Sequence, residues 1–456
     1  MKRALPPQPS LAQLRRQAKE LLESYRAADA EAIARFRQHP RLSSASVATI
    51  RAAMPSLSDA QLVLAREYGF ASWPKLKLHV ESWERVEDRV ARLRAAFAAA
   101  APETKERLLA AVHARERFQH YVPDAQTLSE DDARLVIANE EGYAFWSKYE
   151  SYLDLDPTVQ QVIAAARIGD LSKLRSLLRT DPAAANPHWV RADLTPSPIP
   201  NDSIPLFVVS EGVFNGTNRQ GNDDTLTRAL IDAGADVEIE RGTPLTAAVS
   251  FNAAGAVRAL LEAGAAVDGV DRNGAPLAYA LLFGFADVAE LLAQYGAKLD
   301  LRFAAGLGKL DAIKSFFNLD GSLKPEAGAL ADPYENHWRC ERTRENVLSQ
   351  ALFFACLHGR LEVADFLLRQ GADVNREVLG LGPSPAGTVL HALTSISVGA
   401  TADPEAIEQR RLPTVRFLLD RGASVAVRDS RFHATPLDWA RYHGRQRMAE
   451  VMGDEC

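Results

Sequence analysis

The side chains that could carry chemistry are few and widely scattered in this sequence. His337 and Cys340 have the spacing of one pair of metal ligands, but no second pair follows at the interval that a zinc site requires. The chain also lacks a Gly-x-Ser-x-Gly nucleophile elbow, a Gly-Lys-Ser/Thr phosphate loop and a His-Glu-x-x-His zinc motif. The sequence therefore predicts no catalytic residues, no metal and no cofactor.

The composition is that of a folded protein without a strong charge bias. The chain has 456 residues, of which 47% are apolar and 25% charged, and its formal net charge is −6. Residues 1–156 hold 23 Lys/Arg against 22 Asp/Glu, and the other 300 residues hold 30 against 37, which gives +1 and −7. A protein that neutralises nucleic-acid phosphates needs a basic footprint. We therefore expect no nucleic-acid partner.

The cysteines and the hydropathy of the sequence indicate in which cellular compartment the chain is expected. Cys340, Cys356 and Cys456 form no disulfide framework, which fits a reducing environment. Prolines and arginines interrupt the first 20 residues, where a signal peptide needs an apolar stretch. No segment approaches the roughly 18 consecutive apolar residues that span a bilayer. We expect a cytoplasmic protein without a membrane partner.

A short motif recurs five times in the second half of the chain. Each copy begins with two adjacent aliphatic residues. A glycine follows three or four positions after the second of them, and the next residue is alanine. The copies occupy residues 230–237, 260–267, 291–297, 367–375 and 418–423. Successive glycines lie 30, 32, 75 and 51 residues apart. The first two gaps approach a repeat of about 33 residues, and the third has room for two units and an insertion.

Signals in phase with this motif predict two helices in each unit. Thr-Pro-Leu at residues 243–245 and again at 435–437 opens a short helix, since proline is tolerated in the first turn. A second helix follows and ends at the glycine, which supplies a left-handed cap. Neither helix can bury its apolar face alone, so neighbouring units must stack.

These residues resemble the ankyrin-repeat family. About eight units begin near residues 157, 204, 243, 275, 299, 350, 388 and 435. The resemblance implies an all-α fold, an ankyrin-repeat solenoid of about eight helix-pair units with long insertions, preceded by an α-helical domain. Helical repeats of another kind are the alternative, but Thr-Pro-Leu and Gly-Ala-Asp in phase favour ankyrin units. The predicted domains are residues 1–156 and 157–456.

The first domain contains a duplication of its own. Residues 59–75 align without gaps on residues 132–148, and ten of the 17 positions are identical, including Trp73 and Trp146. Each copy predicts a helix, a glycine turn and the start of a helix led by tryptophan. Residues 10–81 resemble a helical module at the front of bacterial ankyrin proteins. We interpret the two tryptophans as packed core residues rather than binding residues.

The resemblance also implies where a partner binds. Ankyrin units contact partners through their hairpin tips and through exposed positions of the first helix, which line a concave face. Phasing each unit on its Thr-Pro-Leu and its glycine places mainly apolar side chains at those positions. The predicted partner-binding residues are Phe251, Tyr279, Leu282, Phe283, Phe303, Phe354, His358, Trp439, Tyr442 and His443. A contiguous apolar strip on a solvated face indicates an interaction site.

This apolar strip has two interpretations. It is either a groove open to another molecule, or a surface covered by the N-terminal module or by the insertions. The insertions are residues 183–203, 216–222, 321–346, 377–386 and 398–411. Aromatic side chains in two of them indicate folded segments rather than spacers; these are His188 and Trp189, and Tyr334, His337 and Trp338.

The main hypothesis from the sequence is a protein–protein interaction scaffold or adaptor, whose protein partner and oligomeric state are unknown. The alternative is a small-molecule binder or enzyme with a pocket between the groove and the inserted loops, where His358 or His443 could supply acid–base chemistry. A third hypothesis is a rigid spacer. We expect both histidines to be structural, as well as His391, which takes a position where ankyrin units often carry a histidine bonded between repeats. The analogy with other ankyrin-repeat proteins argues against an enzyme.

Overall fold

The computed structural model describes residues 5, 9–99, 128–141, 143, 145–189, 196–330, 340–379, 387–395 and 404–453. Within these ranges the regular structure is helical, apart from two isolated β-bridges, Leu155 with Trp189 and Phe317 with Leu323. None of the helices in these ranges has both the length and the apolarity that a bilayer crossing requires. The chain divides into two compact units: residues 1–164 with 176–205 form unit 1, and residues 165–175 with 206–456 form unit 2.

Nine α-helices lie in the described residues up to 180. They are α1 (Leu11–Arg26), α2 (Ala30–Arg35), α3 (Val47–Ala52), α4 (Leu57–Glu67), α5 (Trp73–Ala99), α6 (Glu130–Glu140), α7 (Trp146–Leu153), α8 (Pro157–Ile168) and α9 (Leu171–Thr180). In unit 1, α1 packs against α2 and α4, and α5 packs against α6. The predicted boundary at residue 156 stays a prediction.

The duplicated sequence produces the same local structure twice in unit 1. Helices α4 and α6 begin 73 residues apart, as do α5 and α7, whose first residues are the paired tryptophans. Both first helices begin with the same cap. Ser56 Oγ accepts the backbone N–H of Asp59, and Ser129 Oγ accepts that of Asp132.

Both tryptophans of the duplication pack against the core of unit 1. Trp73 contacts the cluster that includes Leu64 and Leu76. Trp146 packs edge-on against Trp83, with ring centroids 6.3 Å apart, and the Arg134 guanidinium lies 5.5 Å from its ring. These contacts support a packing role for the two side chains.

Fourteen α-helices follow in the described residues from 205 onward. They are α10 (Pro205–Phe214), α11 (Asp223–Asp232), α12 (Ile239–Ser250), α13 (Ala254–Glu262), α14 (Ala275–Leu282), α15 (Ala286–Gln294), α16 (Leu301–Leu307), α17 (Leu310–Ser315), α18 (Arg344–Leu357), α19 (Leu361–Arg369), α20 (Val389–Ser395), α21 (Pro404–Asp420), α22 (Pro436–Tyr442) and α23 (Gln446–Gly453). Within α12, residues 240–242 have left-handed backbone angles, so its Thr-Pro-Leu helix begins after Gly242.

Unit 2 is a stack of helix pairs, as the repeat predicts. Six pairs pack internally, namely α12 with α13, α14 with α15, α16 with α17, α18 with α19, α20 with α21, and α22 with α23. The first helices of these pairs contact one another in chain order, and we call them the first-helix row. Second helices α11, α13 and α15 form a parallel row, and α21 contacts α23. Stacking buries the apolar face that a single pair would expose.

Glycines end the second helices in all five copies of the repeated motif. Gly234, Gly264, Gly296, Gly371 and Gly422 have φ between 85° and 96°, which is the left-handed region. The alanine after each of them donates its N–H to the carbonyl five residues earlier, as Ala235 does to Leu230 at 3.0 Å. This bond satisfies a carbonyl that the last helical turn would otherwise leave unpaired.

The described part of the insertion at residues 321–346 packs against two neighbouring helices of the row. Its short 3₁₀ helix, Pro325–Gly328, contacts α16. A Cβ on Gly328 would lie only 2.7 Å from the Val347 side chain of α18, so only glycine allows this approach. Residues 321–330 are therefore a packed part of the stack rather than a spacer, while Tyr334, His337 and Trp338 lie outside the described residues.

A fully buried ion pair joins this insertion to the row. Arg302 is 0% exposed and donates through Nε and Nη2 to Asp300 Oδ2, at 2.8 and 2.6 Å. Its Nη1 donates to Gln350 Oε1 on α18 at 2.9 Å, and Nη2 also reaches the carbonyl of Leu330 at 2.6 Å. Asp300 in addition caps α16, because its Oδ1 accepts the N–H groups of Arg302 and Phe303. The network connects α16, α18 and the insertion.

Candidate interaction surface

The ten predicted binding residues all lie on the first-helix row or at the C-terminal caps of its helices, but their exposure differs. Six are half-buried, one is 80% exposed and three are buried. The half-buried residues are Phe251, Tyr279, Phe283, His358, Trp439 and His443; the exposed residue is Tyr442; the buried residues are Leu282, Phe303 and Phe354. The row thus offers accessible apolar surface at its two ends rather than along its whole length.

The prediction that Phe303 and Phe354 present surface is wrong. Both are 0% exposed, and their rings pack edge to face with centroids 6.2 Å apart, because α16 and α18 lie in close contact. Gly274 lies close to Phe303 and to Leu330 of the insertion, since a Cβ there would be 3.2 Å from the first and 3.3 Å from the second. Leu282 is also buried, at 5% exposure, and does not offer the predicted surface.

The accessible rings of α14 form a stacked group. Tyr279 and Phe283 are one helical turn apart, and their rings lie nearly parallel with centroids 6.0 Å apart. Phe285 packs against Phe283 at 5.9 Å. On the neighbouring pair, Phe251 stacks on Phe214 at 4.8 Å and meets Phe207 edge-on at 5.6 Å. Two half-buried aromatic groups therefore lie on consecutive helices of the row.

A third aromatic group lies at the other end of the row, on α22. Trp439 contacts Tyr442 edge-on at 5.9 Å and stacks on His443 at 5.5 Å. The indole N–H of Trp439 donates to Asp429 Oδ2 at 3.0 Å. This bond fixes the ring while Tyr442 stays open to solvent.

The histidines within the stack make structural hydrogen bonds. His391 Nδ1 accepts the backbone N–H of Thr388 at 3.1 Å, so its Nε2–H donates to the Ala434 carbonyl of the next unit at 3.2 Å. His358 Nε2 lies 2.8 Å from the Leu281 carbonyl on α14. The sequence interpretation of these two residues as structural is consistent with both bonds.

Burial lowers the pKa of His358, the bond to the Leu281 carbonyl opposes this, and the positive charges of Arg360, Arg410 and Arg411 add to the lowering, so that the pKa is about 4. The folded chain therefore keeps this imidazole neutral at pH 5, whereas the unfolded chain protonates it below its ordinary value of 6.5.

We expect acidification from pH 7 to pH 5 to lower the free energy of unfolding by about 2 kcal/mol through His358 alone. The stability is present above pH 6.5 and is lost as the pH falls towards 4, since only the unfolded chain gains the proton in that window. Denaturation at several pH values checks this, with His358→Gln as the comparison. An equally steep loss in that variant would contradict the assignment.

A cavity of about 700 Å³ lies beside the insertion and the start of α18. Its cationic lining groups are bonded to main-chain carbonyls, as in the bonds of Lys324 to Ser315 at 2.6 Å and of Arg344 to Gln370 at 2.6 Å. Its described lining contains no histidine, cysteine or carboxylate. His443, which the enzyme alternative names, lines a separate cavity of about 340 Å³ together with Glu405 and Glu408.

Three potential metal ligands approach one another in unit 1. Asp156, Asp181 and His188 have ligand atoms within 4.8 Å of one another. However, Lys75 Nζ lies 2.5 Å from Asp156 Oδ2. Burial raises the pKa of Asp156, but the bonds from Lys75 and from the Thr158 N–H outweigh it and hold the pKa below its ordinary value. We interpret the group as an ion-pair cluster, because an ammonium already neutralises its buried carboxylate.

Neighbouring Trp189 packs within unit 1. Its indole N–H donates to the Ser151 carbonyl at 3.2 Å, and its backbone bridges to Leu155.

Known proteins share the repeat. Residues 217–303 match the family model of ankyrin repeats in three copies, and residues 350–376 match that of a single ankyrin repeat. The Caenorhabditis elegans protein "Ankyrin repeat and KH domain-containing protein mask-1" is 27% identical over 256 residues, which cover 54% of this chain and 8% of that protein. The chain thus spans less than a tenth of the length of this curated relative.

Two solved structures also align with the chain. The ankyrin repeat domain of Bcl-3, a member of the IkappaB protein family, is 18% identical and covers 64% of this chain and 97% of its own, with a TM-score of 0.27. The human ASB11 ankyrin repeat domain is 20% identical and covers 64% and 96%, with a TM-score of 0.31. The stacked helix pairs and the matched family models together show that this chain is an all-α protein containing an ankyrin-repeat solenoid.

Proposed function

We propose that this chain is a cytoplasmic interaction scaffold, which binds a segment of a partner protein along the first-helix row of unit 2. The observation that carries the proposal is the half-buried aromatic group of Tyr279 and Phe283 on α14, inside the part of the chain that matches ankyrin repeats. Ankyrin repeat domains are typically interaction modules, which supports a protein as the partner.

The geometry of this group suits recognition of an apolar side chain. Stacked aromatic rings form a stiff, flat surface whose ordering costs little conformational entropy on binding. Such aromatic anchors supply a large share of the affinity in many interfaces. Phe251 lies on the neighbouring helix of the row, so a partner segment could cross from one aromatic group to the next.

We expect the double change of Tyr279→Ser and Phe283→Ser to weaken binding of a partner segment by at least about 2 kcal/mol, because two aromatic anchors are removed. Peptides selected by display against the purified full chain would serve as the binding probes. Their affinities for the variant and for the unchanged chain would be compared by fluorescence anisotropy, after circular dichroism has shown that both chains are folded.

Tyr295→Ser is the matched control for this experiment. Tyr295 is a 37% exposed aromatic residue at the C-terminal cap of α15, the second helix of the same pair, and does not lie on the row. Selected peptides should bind this variant as they bind the unchanged chain. If they bind the double variant equally well, or lose affinity for Tyr295→Ser to the same degree, the proposed surface is wrong.

A further inference from the structure

The hairpin before α22 and the helix itself display exposed aromatic rings in one continuous series. Phe432 is 59% exposed and Tyr442 80% exposed, and the half-buried Trp439 lies between them, with ring centroids 5.3 Å from Phe432 and 5.9 Å from Tyr442. His443 stacks on Trp439. We call Phe432, Trp439, Tyr442 and His443 the aromatic ladder.

The aromatic ladder is held rigid by hydrogen bonds beneath it. The buried Asp429 carboxylate accepts the N–H groups of Arg431, Phe432 and Ala434 as well as the Trp439 indole. Thr435 and Asp438 form a capping box that fixes the start of α22. The backbone of this turn and the Trp439 indole are therefore already ordered before a partner binds, which favours affinity.

The segment that carries the aromatic ladder is rich in arginine, and Glu377 and Glu405 contact it through Ser430 and Arg447. Residues 426–447 contain five arginines and two aspartates, whereas residues 157–456 as a whole carry −7. Both aspartates are used internally, in the hairpin and in the helix cap. Arg428, Arg431 and Arg441 are exposed, and the Arg431 guanidinium lies 5.1 Å from the Phe432 ring centroid. The surface thus combines apolar rings with local positive charge.

We propose that the aromatic ladder binds an acidic segment of a partner protein, in which carboxylates alternate with apolar side chains. The carboxylates pair with the exposed arginines, whose planar guanidinium groups suit carboxylates, while the apolar side chains pack on Phe432 and Tyr442. This inference rests on the proposed function, because it assigns a partner chemistry to one end of the same first-helix row.

Single-stranded nucleic acid also stacks on aromatic rings beside arginines. It requires a basic path along several nucleotides, however, and the net negative charge of the surrounding array opposes a long polyanion. A short acidic peptide meets only the local charge, since charges beyond about 10 Å are screened at moderate salt. The observations therefore favour the peptide.

The test uses the full chain and two fluorescent 12-residue peptides. One alternates glutamate with leucine and tryptophan, and the other has glutamine in place of every glutamate. We expect the acidic peptide to bind the full chain. The double charge reversal Arg431→Glu with Arg441→Glu should lower its affinity about tenfold or more. Tyr442→Ser should lower the affinity for the acidic peptide several-fold. Raising the salt from 50 to 300 mM should lower this affinity as well.

Arg258→Glu is the matched control, because Arg258 is an exposed arginine on the second helix α13. This variant should bind the acidic peptide as the unchanged chain does. Equal binding of the glutamine peptide would overturn the proposal, and so would an equal loss in Arg258→Glu. Stronger binding of an oligothymidine than of the acidic peptide, abolished by the same charge reversal, would also overturn it and assign the surface to single-stranded nucleic acid.

The two proposals can fail separately. If the acidic peptide requires Arg431 and Arg441 while Tyr279→Ser with Phe283→Ser affects no selected peptide, the claim for α14 fails and the aromatic ladder stands. If selected peptides depend on α14 while the acidic peptide does not bind, the aromatic ladder proposal fails and the proposed function stands.

Discussion

Replacing Asp300 with alanine should lower the free energy of unfolding by about 3–5 kcal/mol. The change removes the counter-charge of Arg302, which has 0% exposure and cannot reach water without opening the contact between α16 and α18. It also removes the cap of α16, for which losses of roughly 0.5–2 kcal/mol are typical. Urea denaturation of the full chain, followed by circular dichroism, measures the effect.

Two further variants separate the charge from the cap. Asp300→Asn retains an oxygen that can cap the helix but removes the charge, so its loss should remain well above that of a cap alone. Arg241→Ala breaks the ion pair between Arg241 and Asp271, whose two side chains are 71% and 57% exposed respectively. This change should lower the free energy of unfolding by no more than about 1 kcal/mol. Losses of equal size for the buried and the exposed pair would contradict the role given to the Arg302 network.

Phe354→Ala should also cost about 3–5 kcal/mol of unfolding free energy, because it leaves a cavity between two first helices. Phe354 has no exposed surface and packs against Phe303 at 6.2 Å and Phe353 at 5.2 Å. The same denaturation experiment checks the value.

Phe432→Ala is the comparison, since this ring is 59% exposed and its loss should change stability by no more than about 0.5 kcal/mol. The structure assigns Phe354 to the core and Phe432 to the surface. A small effect at Phe354, or a large one at Phe432, would reverse that assignment.

The local features of the fold could be predicted from the sequence because each has its own short-range signal. The repeated motif predicts a left-handed backbone at Gly234 and at the four glycines equivalent to it, and all five adopt it. The duplication at an offset of 73 residues predicts two helix–turn–helix copies, and both are present with matching serine caps. Thr435 likewise caps the helix that its Thr-Pro-Leu predicts.

The exposure of the binding positions could not be predicted, because it depends on contacts between distant residues. Repeat phasing gives Tyr279 and Phe303 equivalent positions, yet the first is half-buried and the second fully buried. The contact that buries Phe303 comes from Phe354 on α18, which lies 51 residues further along the chain. No local pattern around Asp300 or Arg302 indicates that they form a buried pair.

The aromatic ladder was only partly visible in the sequence. Trp439, Tyr442 and His443 follow from the phase of the repeat, whereas Phe432 lies in the hairpin and joins them only through its ring contact with Trp439. Asp429 acts beneath the rings through a local turn, which brings three backbone N–H groups and the Trp439 indole to one carboxylate.

Hydrogen exchange of the full chain, with and without a display-selected peptide, tests the central claim that partners bind along the first-helix row. Bound peptide should slow amide exchange in α14 or α22 and leave the paired second helices α15 and α23 at their unbound rates. Protection confined to α15 and α23, with no change on the first helices, would contradict the claim.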